Sequence, residues 1–583
     1  MICFFGNPSE RVYALQTQTP LDELTKEKLK WLFGDAPYIN KSILEGSFVG
    51  PRITMVTPWS TNAVEITQNM GINSILRIEQ FTVLNQETEI DPMLFQKFNN
   101  LDQRLFAVEI VPEPVLEIED IETYNQSQGL ALNKDEIEYL KTLAKQLGRP
   151  LTDSEVFGFS QVNSEHCRHK MFNGSFTIDG NTKKDSLFQL IKKTSKANPE
   201  NLVSAYKDNV AFIQGPTIEQ FAPEDAETAS TYKTKTIPSI ISLKAETHNF
   251  PTTVEPFNGA ATGSGGEIRD RMAGGIGSVP LAGTAVYMTA YPRLKSGRAW
   301  EKTKERPWLY QTPLDILIKA SNGASDFGNK FGQPLIAGSL TTFEHQEQDQ
   351  IIGFDKVIML AGGIGYGHAS HSEKNTPKKG NKIVVLGGDN YRIGMGGAAV
   401  SSANTGAFSS GIELNAVQRS NPEMQKRVAN VIRAMTEADK NPIISIHDHG
   451  AGGHLNCLSE LVEDTGGYVN MDALPVGDQT LSAKEIIGNE SQERMGLIVS
   501  PKTLPKLQRI AERERAPIFE VGQITDDQKF VVASEKNQSK PIDLSLADFF
   551  GKTPKTELKD QSIQTQYEPV TWDDNHVYDD VKN

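Results

Sequence analysis

The sequence predicts a multidomain protein of mixed α+β and α/β class. Three observations lead there. A chain of 583 residues exceeds what one hydrophobic core organises, and length alone suggests about four domains. Between about 171 and 370, apolar runs alternate with turn-rich joints, as in an α+β domain. Beyond about 380, strand-like runs alternate with amphipathic helical stretches, as in an α/β domain.

Composition narrows the function classes. The formal net charge of −15 argues against nucleic acid or an anionic membrane as the main partner, while leaving room for a local basic pocket. The three cysteines, Cys3, Cys167 and Cys457, are too few and too scattered for a disulfide framework or a CxxC zinc site, and they fit a reducing cytoplasm. No apolar run reaches the length of a membrane span, and Met1 to Ala14 lacks a basic leader pattern.

Residues 1–120 read as a small α+β domain. Ile2 to Phe5, Ser74 to Ile78 and Phe106 to Val111 look like strands, Leu21 to Phe33 looks helical, and Ser60, Thr61 and Asn62 are possible caps of a second helix. Residues 121–170 read as a helical linker domain. There Ile137, Leu140, Ala144 and Leu147 form an apolar stripe, Asn133 with Glu136 resembles a capping box, and Gly148 with Pro150 ends the helix. A further helix opens at Thr152 and leads into NSEHCRHK, Asn163 to Lys170. Its adjacent His and Cys suit a metal poorly and a phosphate well.

The first α+β domain of the main body is expected at 171–375, with Pro334 to Thr342 and Val357 to Gly365 as strands. The α/β domain is expected at 376–553. In the latter, Lys382 to Leu386 reads as a buried strand. Asn421 caps a helix that Pro422 opens, and the strand Pro442 to Ile446 delivers HDHGAGG, His447 to Gly453. That run is either an anion or metal position at a helix start or a tight βα turn. From 554 to 583 the text is polar and acidic, an extended linker.

The chemistry gathers at LKAETHNFPTTVEPFNGAATGSGGEIRD, Leu243 to Asp270. A period of two puts Lys244, Glu246 and His248 on one face of a strand, spanning about 13 Å. Gly259, Gly263, Gly265 and Gly266, with Thr262 and Ser264 among them, form either a turn or a loop whose N–H groups approach an anion. Glu267, Arg269 and Asp270 follow. No GxxxxGK[ST] loop occurs, so any phosphate is held another way. NAVQRSNPE (Asn415 to Glu423) and NESQER (Asn489 to Arg494) are each either a polar clamp or a helix cap.

In their order, NSEHCRHK, KAETHNFPT, GAATGSGGEIRD, AVQRSNPEM, HDHGAGG and NESQERMGLIV resemble phosphoribosylformylglycinamidine synthase, or formylglycinamide ribonucleotide amidotransferase, over nearly the whole chain. GPRITMVTPWSTNA and SILRIE resemble the amino-terminal domain of its large, single-chain form. The resemblance implies one ATP-binding half of the aminoimidazole-ribonucleotide-synthetase-like superfamily, an α+β domain followed by an α/β domain. It implies an ATP- and magnesium-dependent ligase of purine biosynthesis, which converts formylglycinamide ribonucleotide to formylglycinamidine ribonucleotide with glutamine-derived ammonia.

By match to the family's motifs, His248 is the proton acceptor and His166 a second catalytic histidine. ATP is expected at Lys244, Gly259, Ala260, Ala261, Thr262, Gly263, Ser264, Gly265, Gly266, Glu267, Ile268, Arg269 and Asp270. Magnesium is expected at Glu246, Asp270 and Asp448, and the ribonucleotide at Thr247, Asn249, Arg269, Gln418, Glu490, Ser491 and Gln492. Phe250 stands where the small form tends to carry a second histidine, so it takes no ligand role.

The resemblance also implies that the chain is the amino-terminal half, without the Cys-His-Glu glutaminase that supplies ammonia. It is then paired either with a second synthase half or with itself as a homodimer. Two alternatives stand beside this reading: a nucleotide-binding scaffold without turnover, and another superfamily member such as aminoimidazole ribonucleotide synthetase.

Overall fold

The computed structural model describes residues 1–85, 90–108, 111–294, 298, 301, 303–347, 349–490, 493–551 and 555–563. The chain divides into two units. One comprises Met1–Pro114, Asp389–Arg392 and Pro475–Ser482; the other comprises Val115–Gly388, Ile393–Leu474 and Ala483–Asn583.

The first unit is built on a six-stranded antiparallel sheet in the order Tyr38–Ile39, Ile2–Asn7, Arg11–Thr17, Ile75–Val83, Leu44–Pro51, Phe95–Leu101. Alternation along the opening strand sends Phe4 and Phe5 to opposite faces. Phe5 packs with Leu29 and Ala63 of the helices Glu23–Leu32 and Pro58–Asn69, and Phe4 packs with Phe48, Phe81 and Leu105. Two expectations are corrected here. The second helix is capped by Thr57, whose side chain accepts from the Ser60 N–H, with Pro58 in its first turn; Ser60, Thr61 and Asn62 are inside it. Phe106 belongs to a turn rather than a strand, and its ring stacks under the Arg77 guanidinium. Residues 109 and 110 lie outside the described residues.

In the second unit the linker helices form as expected. Asn133 with Glu136 and Thr152 with Glu155 each make reciprocal capping boxes at the starts of Lys134–Leu147 and Asp153–Val162, and Gly148 ends the first in a left-handed conformation. A six-stranded sheet follows, in the order Leu202–Ser204, Ala211–Pro223, Tyr232–Thr247, Ile358–His368, Val279–Thr289, Leu335–Thr342. Only the last pair is parallel. One face, with Ala285, Tyr287, Met359 and Ala361, is covered by the helices Pro256–Ala273 and Pro313–Phe331 through Ala260, Ala320 and Ala324. The other face carries the cross-strand pair Leu243 and Ile364, both exposed.

The last sheet has seven strands: Ile443–Asp448, Met495–Val499, Lys382–Leu386, Ile518–Ile524, Gly467–Asn470, Lys529–Ser534, Ser539–Ser545. Its strands and helices alternate along the chain as expected, but only Gly467–Asn470 and Lys529–Ser534 pair in parallel. Val384 and Leu386 pack toward the helices Pro422–Thr436 and Leu504–Arg513, while Ile383 and Val385 pack toward the linker helices. The extended-linker expectation is corrected in part: Glu557–Asp560 is a strand running parallel to Ser175–Ile178. Residues 552–554 and 564–583 lie outside the described residues.

Candidate active site

The strand Tyr232–Thr247 turns Lys244 and Glu246 toward the helix Pro256–Ala273. Lys244 Nζ lies 2.9 Å from Glu246 Oε2 and 2.9 Å from Asp270 Oδ2, the latter supplied by that helix. His248 follows the strand directly. Its backbone N–H donates to Met359 O at 2.9 Å, and its ring Nδ1 meets the Gly259 carbonyl. A carbonyl oxygen only accepts, so Nδ1 carries the proton and Nε2 is left as the basic nitrogen. Burial pushes the imidazole pKa down to about 4, outweighing Gly259 and Glu246. His248 is therefore neutral at physiological pH.

The glycine run is corrected from a loop to a helix. Gly259 to Gly266 sit inside Pro256–Ala273, where amide groups are engaged along the helix and do not form an anion cradle. Their smallness has another use, close approach. A Cβ on Gly259 would stand 2.3 Å from the Pro251 carbonyl carbon, one on Gly263 2.8 Å from His248 Cβ, and one on Gly265 2.7 Å from the Phe327 ring. The helix thereby lies tightly under His248.

Several residues expected at ATP are spent inside the fold. Ala260, Ala261 and Ile268 are in apolar clusters, Thr262 Oγ1 donates to Asn258 O, and Glu267 is bridged to Arg271 and Gln333. Gly266 is the exception among the glycines. Its added Cβ would meet nothing closer than Arg269 Nη2 at 3.7 Å, with Glu246 Cγ at 4.0 Å.

Arg269 leaves this helix toward the seven-stranded sheet, while Asp270 faces Lys244. Arg269, only 1% exposed, donates from Nη1 to Gln425 Oε1 at 3.1 Å, and its Nε is 3.9 Å from Asp448 Oδ2. Asp448 Oδ1 accepts from Asn209 Nδ2 at 2.9 Å. Three carboxylates, Glu246, Asp270 and Asp448, thus share the cations Lys244 and Arg269. Burial, with repulsion from Asp448 and Glu246, raises the Asp270 pKa well above the usual range despite Lys244. Desolvation opposes ionisation of Glu246 too, but Lys244 and His166 overcome it and keep it ionised. His166 is exposed, and its backbone N–H donates to Ser402 Oγ at 3.4 Å. Desolvation lowers its pKa against the pull of Glu246.

A second group forms around Glu490. Its Oε1 accepts from the Gly452 N–H and its Oε2 from Gln418 Nε2, both at 2.8 Å. Burial raises its pKa to about 7 despite those donors. Two glycines make this possible: Gly394 at φ +72° lies against Gln418 and the Glu490 backbone, and Gly453 at φ +57° lies against the Asn489 backbone. The loop from Asp448 to Gly452 joins the two groups, since one end faces Arg269 and the other caps Glu490.

The remaining expected residues divide. Asn249 Oδ1 accepts from the Met359 N–H at 3.0 Å, beside His248. Thr247 alternates onto the exposed sheet face with Ala245, away from Lys244 and Glu246. Phe250 is buried with Val254 and Val417. Ser491 and Gln492 lie outside the described residues. Sequence reasoning missed Asn209, Gln425 and the buried His449, His454 and Arg494. His449 and Arg494 fall inside the HDHGAGG and NESQER runs already singled out, and Gln425 left a signal as a polar residue on the apolar stripe of Val428 and Ile432, whereas Asn209 and His454 left none.

Three family models match the chain. Formylglycinamide ribonucleotide amidotransferase N-terminal covers residues 10–106, formylglycinamide ribonucleotide amidotransferase linker domain covers 121–170, and AIR synthase related protein, C-terminal domain covers 378–535. Over residues 10–106 and 121–170 the chain is similar to the formylglycinamide ribonucleotide amidotransferase family. Among solved structures, the chain is similar to Thermotoga maritima PurL complexed with FGAR, at 22% identity and TM-score 0.51, over 75% of this chain and 58% of that one. Thermotoga maritima PurL complexed with ATP matches at 20% identity and TM-score 0.48, over 75% and 57%. The chain therefore spans less than two thirds of the length of the structures it matches.

Proposed function

We propose that this chain catalyses the ATP-dependent conversion of formylglycinamide ribonucleotide to formylglycinamidine ribonucleotide. In this reaction the formamide oxygen attacks the γ-phosphorus, ADP departs, and ammonia displaces phosphate at the activated carbon. The observation that carries the reading is His248. It is neutral, it is fixed by Gly259 with Nε2 basic, and it stands at the end of a strand whose Lys244 and Glu246 face Asp270. Such a nitrogen takes the proton that ammonia loses as it adds.

Lys244 and Arg269 supply positive charge to the phosphates and the ribonucleotide, and His166 stands in the field of Glu246. With little covalent work left to the protein, positioning and charge stabilisation dominate. Glu490 and Gln418 orient the ribonucleotide, with Asn249 beside His248.

Glu246 and Asp270, with Asp448 nearby, would hold magnesium, which when bound neutralises phosphate charge. The fit is of the open kind, one or two carboxylates with phosphate oxygens and water completing the shell. Among the described residues no group of three or more His, Cys, Asp or Glu side chains is placed to hold a metal ion by itself, so phosphate oxygens and water would complete the shell, and the mutual repulsion felt by Asp270 is what a divalent ion relieves.

As partners we propose a glutaminase that supplies ammonia and a second, similar sheet against the exposed face of Leu243 and Ile364. The second sheet comes from another synthase half or a second copy. A cytoplasmic location is part of the same proposal. Among the described residues no helix is long and apolar enough to cross a membrane.

The test supplies the purified protein with MgATP, the formamide ribonucleotide and ammonium chloride. ADP release that requires the ribonucleotide and disappears in His248→Ala supports the assignment. Nucleotide binding with no release refutes it in favour of a scaffold.

A further inference from the structure

Behind the Glu490 loop lies a buried polar chain to which the reaction assigns no part. Arg494 Nη1 lies 2.8 Å from His454 Nε2, and His454 Nδ1 lies 2.8 Å from His449 Nε2, with the two rings nearly perpendicular at 89°. Arg494, His454 and His449 are at most 1% exposed.

The direction of these hydrogen bonds follows from chemistry. A guanidinium is always protonated and has only donors, so His454 Nε2 must accept. The His454 proton then sits on Nδ1 and is donated to His449 Nε2. His449 in turn keeps its own proton on Nδ1, which has no hydrogen-bond partner among the described residues. Each ring holds one tautomer.

The other arm of the guanidinium reaches the loop. Arg494 Nη2 donates to Asn489 O at 2.6 Å and stands 3.2 Å from Asn489 Oδ1. Asn489 Nδ2 donates to Ile393 O at 2.6 Å, and the next residue, Glu490, donates its N–H to Gly394 O at 2.8 Å. The Gly453 Cα adds a tight wall, since a Cβ there would stand 2.1 Å from Asn489 O. Asn489 is thus clamped on three sides, and its neighbour's carboxylate has little freedom to swing.

We propose that His454 is a positioning residue for Glu490: as a fixed Nδ1-protonated acceptor it orients Arg494, which holds Asn489 and so aims the Glu490 carboxylate at Gly452 and Gln418. The inference rests on the reading that Glu490 orients the ribonucleotide.

Two substitutions separate the two ends of the ring. His454→Gln places an amide oxygen near the Nε2 position and keeps an acceptor for Arg494. His454→Asn reaches only the Nδ1 position and keeps the contact with His449. Calorimetric titration should show His454→Asn weakening the formamide ribonucleotide about tenfold, the scale expected for losing a hydrogen bond to a charged group. A non-hydrolysable ATP analogue should bind unchanged, and His454→Gln should stay within about twofold of the parent. Parent-like ribonucleotide binding by His454→Asn, or equal losses in both variants, would overturn the proposal.

A second measurement does not depend on the variants folding. Ring-nitrogen NMR of the histidine-labelled protein at neutral pH should show His454 protonated on Nδ1 and bare on Nε2; the reverse tautomer overturns the proposal as well. If the parent protein binds no ribonucleotide, the assigned function fails, and the NMR result still decides the relay.

Discussion

Lys244 on the strand Tyr232–Thr247 and Asp270 on the helix Pro256–Ala273 meet at 2.9 Å, and the same ammonium holds Glu246 at 2.9 Å. One cation therefore ties a strand to a helix and keeps two buried carboxylates together. Lys244→Met leaves both carboxylates without it. The expected loss is about 3 kcal/mol in urea unfolding at neutral pH, typical of breaking a buried pair from one side. The loss should shrink at acid pH, where the carboxylates protonate. An unchanged midpoint would mean that the cluster does not bear on stability.

The glycine helix gives a paired prediction. Gly259→Ala drives a methyl into the Pro251 backbone and should cost about 2 kcal/mol or more, because backbone cannot yield as a side chain does. Gly266→Ala meets nothing closer than 3.7 Å and should gain about 0.5 kcal/mol from helix propensity. Thermal melts of the two variants check the contrast. A flexible glycine loop would show neither effect.

His248 and Glu490 pull stability in opposite directions with pH. The His248 pKa falls from 6.5 to about 4 on folding, so the unfolded chain binds more protons between those values. Its contribution is complete above 6.5 and is lost as pH falls toward 4. The Glu490 pKa rises from 4.5 to about 7, so the folded chain binds more protons there, and stability is lost as pH rises from 4.5 through 7. Glu490→Gln removes the second effect. Its unfolding free energy should rise more steeply with pH than the parent's between about 5 and 7, and parallel curves would contradict the assignment.

The open sheet face predicts association. Leu243 and Ile364 are cross-strand partners exposed to solvent, a combination that marks an interaction surface. Sedimentation at micromolar concentration should show a self-associating protein that Leu243→Glu converts to monomer. A strictly monomeric parent would contradict pairing between copies.

What the sequence made legible follows from which signals are local. Capping boxes at Asn133 and Thr152, and Pro422 behind Asn421, depend on neighbours three residues apart, so they could be read directly. The shared face of Lys244 and Glu246 follows from strand period alone. The glycine run misled because small residues serve close packing as well as anion binding. Only the buried surfaces of Pro251, His248 and Phe327, distant in sequence or across a turn, decide between them. Strand direction in the last sheet, the Asn209 contact with Asp448 and the Arg494–His454–His449 chain are tertiary juxtapositions with no period to announce them.

The central claim is that the formamide oxygen of the ribonucleotide ends on the phosphate taken from ATP, with His248 receiving ammonia's proton. The most direct measurement uses ribonucleotide labelled with oxygen-18 in the formamide carbonyl, together with MgATP and ammonium, and weighs the inorganic phosphate released. The account predicts labelled phosphate in amounts equal to the amidine formed, lost in His248→Ala. Phosphate carrying only solvent oxygen, or no phosphate from a protein that binds both substrates, would contradict it.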